Sequence, residues 1–336
     1  MRIAIVGVGA IGGLLAAKLA RAGEDVSVVA RGAHLEAIRS QGLKLLDAEG
    51  EFTARLPAST RLADLGPQDC IALGVKAHQV ADVAADVAAA LGSDTTILTA
   101  QNGLPWWYFH KAGGAHDGRR LESVDPDGRI GELLPAERII GSVVYPAGEI
   151  VAPGVIRHVE GNRFTLGELD GAETSRAAAL SEALTRAGFK APVVADIRTE
   201  IWMKLWGNAT FNPVSALTSA TLAGMCQYPP SRALIAAMMA EVKAVGEAHA
   251  IRFRLSIDKR IAAAEAIGAH KTSMLQDVEA GRSLETEALI GSILEMARLT
   301  NTAAPAIESV YALVKLLNKV MLLEGGGVKV EKAKAA

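Results

Sequence analysis

The chain has 336 residues, 50% of them hydrophobic, 21% charged and only 4% aromatic. At about 100–200 residues per domain this is enough chain for two domains with real cores, and the composition excludes intrinsic disorder. Lys and Arg total 35 against 37 Asp and Glu, a net charge of −2, so no basic excess points to nucleic acid or to an anionic membrane. Two cysteines, Cys70 and Cys226, cannot build a disulfide framework, and no CxxC or paired-histidine spacing suggests a metal. A reducing, cytoplasmic setting is expected.

Two apolar stretches bear on membranes. Residues 3–17 follow Arg2 as a signal peptide would, but four glycines interrupt them and Lys18 and Arg21 follow. Residues 205–231 lack any charge yet contain Asn208, Asn212, Pro213, Gln227 and Pro229, which lipid tolerates poorly. A buried helical segment lining something polar is the expectation, and the protein is read as soluble.

Over the first 100 residues, β-branched runs at 3–6, 26–29, 70–75 and 96–99 read as strands. Between them, 11–21, 34–40 and 80–91 read as helices, with Gly23 and Gly92 as stops. This alternation predicts parallel strands with right-handed crossovers, an α/β doubly wound sheet of Rossmann type. Residues 105–135 are rich in turn signals (Gly113-Gly114, Asp125-Pro126, Asp127-Gly128) and read as an excursion from the sheet. Three antiparallel strands are expected at 139–145, 155–159 and 163–166, the last two joined around Glu160-Gly161-Asn162. A helix at 172–187 and a short strand near Val193 finish this domain.

From about residue 197 the pattern is helical only, with helices expected at 197–211, 231–250, 257–279, 284–300 and 306–323. The expected organisation is a nucleotide-binding domain at 1–196, an all-helical C-terminal domain at 197–323 with a cleft between the two, and a disordered tail at 324–336.

Gly7-Val8-Gly9-Ala10-Ile11-Gly12 leaves the first strand and opens the first helix. Gly7 allows the tight turn, Gly9 lets backbone approach a pyrophosphate, and Gly12 permits close helix packing. The N–H groups of the helix start then face the phosphates. The second strand ends in Arg31 with no acid at the corner. A carboxylate there would serve the ribose of NAD, whereas a guanidinium attracts the 2′-phosphate of NADP; the alternative is a solvated loop arginine. Lys76 in Val75-Lys76-Ala77-His78-Gln79 and Asn102 in Gln101-Asn102-Gly103 follow later strands, on the side where open α/β sheets bind ligands.

In the helical part, Lys204, Asn208 and Asn212 recur every four residues. Successive members drift only about 40° around a helix and so line one face. Trp202, Leu205, Trp206 and Phe211 surround them, and Pro213 is expected to end or kink the helix. A ligand-facing stripe fits that charge-free setting better than a solvated one. Further on, Gly281 breaks the chain, Ser283 reads as an N-cap, and Glu285 falls in the first turn of the next helix, where the dipole alone would explain it.

The ordered set GVGAIG, VKAHQ, QNG, KLWGNATFN and SMLQDVEAGRSLE resembles the ketopantoate reductase family over about residues 1–320. The resemblance implies NADPH-dependent reduction of a 2-oxo acid, ketopantoate to pantoate, on the route to pantothenate and coenzyme A. It implies Lys204 and Glu285 as catalytic residues, and Asn102, Asn208, Asn212 and Ser273 as substrate contacts. It implies Gly7, Gly9, Ala10, Ile11, Gly12, Arg31, Lys76, Gln79 and Asn102 as cofactor contacts. The expected partner is a small 2-oxo acid, with neither nucleic acid, membrane nor metal, and a homodimer is one assembly open to it.

Three departures stand out. The family's Thr-Glu-Ile-Asp is here Ser283-Leu284-Glu285-Thr286-Glu287, and its Thr-Pro-x-Asn is Ala304-Pro305-Ala306-Ile307. Four of the 14 aromatics, Trp106-Trp107-Tyr108-Phe109, follow Asn102 directly. That run reads either as an aromatic wall for a bulkier 2-oxo or 2-hydroxy acid or as core packing or a subunit contact. A non-catalytic NADPH sensor is the remaining alternative.

Overall fold

The structure is a computed structural model and describes residues 1–330. Its strands are β1 (Arg2–Val6), β2 (Asp25–Val29), β3 (Leu43–Asp47), β4 (Gly50–Ala54), β5 (Ala58–Ser59), β6 (Cys70–Leu73), β7 (Thr96–Thr99), β8 (Ile139–Val144), β9 (Ala147–Ala152), β10 (Val155–Glu160) and β11 (Phe164–Glu168). The helices are α1 (Ala10–Arg21), α2 (Gly32–Gln41), α3 (Val80–Ala89), α4 (Arg129–Leu133), α5 (Ser175–Arg186), α6 (Ile197–Thr218), α7 (Leu222–Gln227), α8 (Pro229–Ala248), α9 (Ile257–Ala266), α10 (Ser273–Glu279), α11 (Ser292–Leu299) and α12 (Pro305–Glu324). Two compact units result, Met1–Glu200 and another beginning at Ile201, so the division falls just inside α6 rather than at residue 196.

Seven strands form one sheet in the order β11-β8-β7-β6-β1-β2-β5. β1 pairs in parallel with β2 (Ile5↔Val28) and with β6 (Val6↔Leu73), and β7 continues the parallel run to β8. The chain moves outward from β1 to β2, then returns to β6 on the opposite side. The ends of β1 and β6 therefore meet at the switch point, where such sheets bind ligands. Ile3, Ile5, Cys70, Ile71, Ile97 and Leu98 are buried throughout, as strands covered on both faces must be.

The expected antiparallel trio at 139–166 is corrected. β8 pairs in parallel with β7 and antiparallel with β11, while β10 does not pair with β11. β10 belongs to a second sheet ordered β4-β3-β10-β9, in a hairpin with β9 through Gly154. Burial explains the separation, since β11 is buried along its whole length whereas β10 buries only Ile156 fully. A one-sided strand belongs to a one-sided sheet. That sheet packs on α1, with the Ile156 side chain filling the space beside Gly13 and Asp47 pairing with Arg21 at 2.9 Å. The β3–β4 hairpin has no counterpart among the expected elements. Its apolar positions, Leu43 and Leu45, alternate with Lys44 and Asp47 in too short a run to stand out.

The excursion after β7 is turn-rich, as expected, and also carries the short α4, which has no counterpart among the expected elements. Its four aromatics are buried. Trp107 lies against Gly141 of β8, and Arg198 ties the segment down by donating to the carbonyl oxygens of Tyr108, His110 and Leu169.

In the helical unit, α6 runs through Pro213 to Thr218 instead of stopping at Asn212. A proline there costs about 3 kcal/mol. Buried Phe211, Val214 and Ala216 on either side offset it, since packing rather than propensity holds most helices. The expected helix over 257–279 is two, because Gly268 takes φ +85° and Thr272 then caps α10 by accepting the Leu275 N–H at 3.2 Å. The expected N-cap at Ser283 is also corrected. Helical conformation starts at Thr286, with the Glu285 carbonyl accepting the Leu289 N–H at 3.2 Å and a π-helical turn over Glu287–Gly291. Of the expected disordered tail, Val328 N–H donates to Val278 O at 3.1 Å, and 331–336 lie outside the described residues. Among the described residues, no helix is long and apolar enough to cross a membrane.

Candidate functional site

In the N-terminal unit the candidate residues stand on loops that leave adjacent parallel strands. Gly7 takes φ +91°, its N–H donates to Val29 O at 3.0 Å, and a Cβ there would lie 2.8 Å from Val75 N. A Cβ on Gly12 would run into the Gly7 carbonyl oxygen, and one on Gly74 would stand 2.5 Å from the same atom. Those three glycines are required by the fold itself. Gly9 differs, since a Cβ there meets only Gly74 O, at 4.0 Å. Its missing side chain therefore serves space beside the loop rather than internal packing. Ala10 and Ile11 open α1, which has neither a side-chain cap nor an acidic residue in its first turn. An uncapped helix start beside an open glycine is a cradle that fits a diphosphate.

Lys76 and Gln79 share the turn after β6, where the Lys76 N–H donates to Gln79 Oε1 at 3.1 Å. Gln79 thus uses one side-chain atom to shape its own loop. Gln101 was not among the expected site residues. Its amide nitrogen donates to Leu73 O at 2.7 Å and Val75 O at 3.0 Å, tying the end of β7 to the end of β6. Asn102, partly buried, follows it. The signal was present in the sequence as a second amide side chain beside Asn102 at a strand end. Arg31 is exposed, in extended backbone immediately before α2.

In the helical unit, Lys204, Asn208 and Asn212 lie in consecutive turns of α6, with Asn212 buried and the other two partly so. The rotation of α6 is set by its neighbours. Trp202 and Trp206 are fully buried edge-on to Phe253, and Trp206 Nε1 donates to Met239 O at 2.9 Å. Burial pulls the Lys204 ammonium down to about 8, against an opposing pull from Glu285. Glu285 itself is buried. The structure thus brings the charge of Glu285 to bear on Lys204, although the two are 81 positions apart in the chain. Ser273, the first residue of α10, is exposed. Among the described residues, no cluster of three or more His, Cys, Asp or Glu side chains is placed to hold a metal.

A glycine-crowded strand-to-helix turn in one unit and a softened lysine in the helical unit place the chain among two-unit enzymes with a Rossmann-type N-terminal sheet. Comparison with known proteins narrows the class. The family model described as Ketopantoate reductase PanE/ApbA matches residues 3–171, and its C-terminal counterpart matches 196–318. A 2-dehydropantoate 2-reductase of Mesorhizobium japonicum is 51% identical over 318 residues, covering 94% of this chain and 98% of that one. A candidate ketopantoate reductase from Ralstonia solanacearum superposes with a TM-score of 0.91 at 40% identity, covering 95% of this chain and 98% of the other. The 2-dehydropantoate 2-reductase of Geobacter metallireducens gives 0.83 at 29% identity, covering 94% and 99%. The chain belongs to the ketopantoate reductase family and is an oxidoreductase.

Proposed function

We propose that the chain reduces 2-dehydropantoate to pantoate with NADPH. The observation that carries this reading is the Lys204 ammonium, softened by burial, opposed by Glu285 and sharing one helix face with two asparagines. NADPH, when bound, supplies the hydride that reaches the 2-keto carbon. Negative charge then grows on the carbonyl oxygen, where Lys204 donates a hydrogen bond and then its proton, leaving the alcohol. An unperturbed lysine, with a pKa near about 10.4, would surrender that proton reluctantly at neutral pH. Asn208, Asn212, Asn102 and Ser273 hold the carboxylate and hydroxyl of the substrate without adding charge. Glu285 orients Lys204 or accepts from the substrate hydroxyl. Gly7, Gly9, Ala10, Ile11 and Gly12 hold the diphosphate, Lys76, Gln79 and Asn102 hold the nicotinamide half, and the Arg31 guanidinium selects the 2′-phosphate.

The aromatic run was the feature that favoured a bulkier substrate. All four of its side chains are buried, and Trp107 lies against Gly141 of β8, which favours packing. The same reading places the reaction in the cytoplasm, where the free cysteines Cys70 and Cys226 stay reduced, and accommodates a homodimer.

The test is NADPH absorbance decay with ketopantoate, with a panel of larger 2-oxo acids, and with no acceptor. Fast decay with ketopantoate, slow decay with the panel and a lower KM for NADPH than for NADH are expected. Tight NADPH binding with no decay on any acid would indicate a sensor instead.

A further inference from the structure

One face of α12 grips the chain on both sides of Glu285. Tyr311, Lys315 and Asn318 are spaced four and three residues apart, which places them on one side of that helix. Asn318 Oδ1 accepts the Leu284 N–H at 2.9 Å, immediately before Glu285. On the other flank the Tyr311 hydroxyl donates to the Glu287 carboxylate, lying 2.9 and 2.8 Å from its two oxygens. Lys315 Nζ donates to the Tyr311 hydroxyl at 2.9 Å and pairs with Glu287 at 3.0 Å.

The backbone between these anchors is specialised as well. It winds into a π-helical turn over Glu287–Gly291, a form that recurs at functional sites. Gly291 makes room for the arrangement, because a Cβ there would run into the Glu287 carboxylate. Stability alone does not explain three converging side chains, since an ion pair as exposed as Lys315 with Glu287 adds little.

We propose that Tyr311, Lys315 and Asn318 are positioning residues, which fix where Glu285 presents its carboxylate to Lys204 and the substrate. The proposal rests on the role given to Glu285 above. It predicts that cutting either anchor lets Glu285 drift, so that Lys204 loses the partner favouring its charged form.

The experiment follows NADPH oxidation by the full chain across pH for Y311F, K315M, N318L, N318D and E285Q, with NADPH binding and thermal denaturation measured on each. Y311F and N318L should each lower kcat by about fivefold while leaving the KM for NADPH unchanged. They should also move the basic limb of the pH profile to lower pH, in the same direction as E285Q. K315M should act in the same sense, more weakly. N318D keeps an acceptor for the Leu284 N–H and should recover the activity that N318L loses. If E285Q moves the limb and neither Y311F nor N318L does, the positioning role is overturned and the reading of Glu285 stands. If E285Q leaves both kcat and the limb unchanged, the reading of Glu285 falls and the positioning role with it. Should Y311F fail to fold, the comparison of N318L with N318D decides the matter.

Discussion

The glycine loop and the lysine helix are built on opposite principles. In the first, main chain is packed against main chain and side chains are excluded. Gly7, Gly12 and Gly74 are crowded by one another's main chain, while Gly9 is open. In the second, the backbone is an ordinary helix and everything depends on which side chains it presents. Trp202 and Trp206, locked against Phe253, set the rotation of α6 and with it the partly buried face that carries Lys204 and Asn208. Requirements imposed by backbone are local and appear as spacing in the sequence. Requirements imposed through a side chain's surroundings come from segments far away in the chain, as with Glu285 and Lys204.

The contrast can be broken hardest at Lys204. Lys204→Ala should lower kcat by about a thousandfold or more, with NADPH affinity, measured by fluorescence titration, nearly unchanged. Retention of most of kcat would remove lysine from the chemistry. Within the loop, Gly12→Ala and Gly9→Ala should separate fold from binding. The first forces a methyl into the Gly7 carbonyl and should cost about 3 kcal/mol in chemical denaturation. The second should leave the denaturation midpoint in place and weaken NADPH about tenfold or more. If both behaved alike, the distinction between structural and ligand-facing glycines would be lost.

A smaller effect is expected at Arg31. Arg31→Ala should raise the KM for NADPH by about tenfold, in line with loss of a charge-assisted hydrogen bond, and leave the KM for NADH as it was. The mildest test changes no residue. Burial draws Lys204 down to about 8, and the proposed role requires its ammonium, so kcat/KM should be level below that pH and fall about tenfold per unit above it. A limb that stayed flat to pH 10 would mean that another group supplies the proton.

Much of this was legible in the sequence, and the failures have physical causes. The strands β1, β2, β6 and β7 and the stripe Lys204, Asn208, Asn212 follow from periodicity and glycine placement. The β3–β4 hairpin and the transfer of β10 to a second sheet did not, because a strand's partner depends on which face another element covers, here α1. Pro213 reads locally as a helix end, and only the packing of Phe211 and Val214 reverses that. The aromatic run was ambiguous for the same reason, its burial being decided by β8 and Arg198. Tyr311 and Asn318 carried no local signal at all. Their significance lies in contacts with Glu287 and Leu284, 24 and 34 positions earlier.

Arg198 joins two carbonyl oxygens of the excursion after β7, those of Tyr108 and His110, to that of Leu169 beyond β11 through a single planar group. No other side chain offers that fork, and an ammonium in its place could satisfy only part of the set. Cutting that fork would therefore release two main-chain positions of the segment and one beyond β11 together, a loss no single substitution at an exposed turn could match.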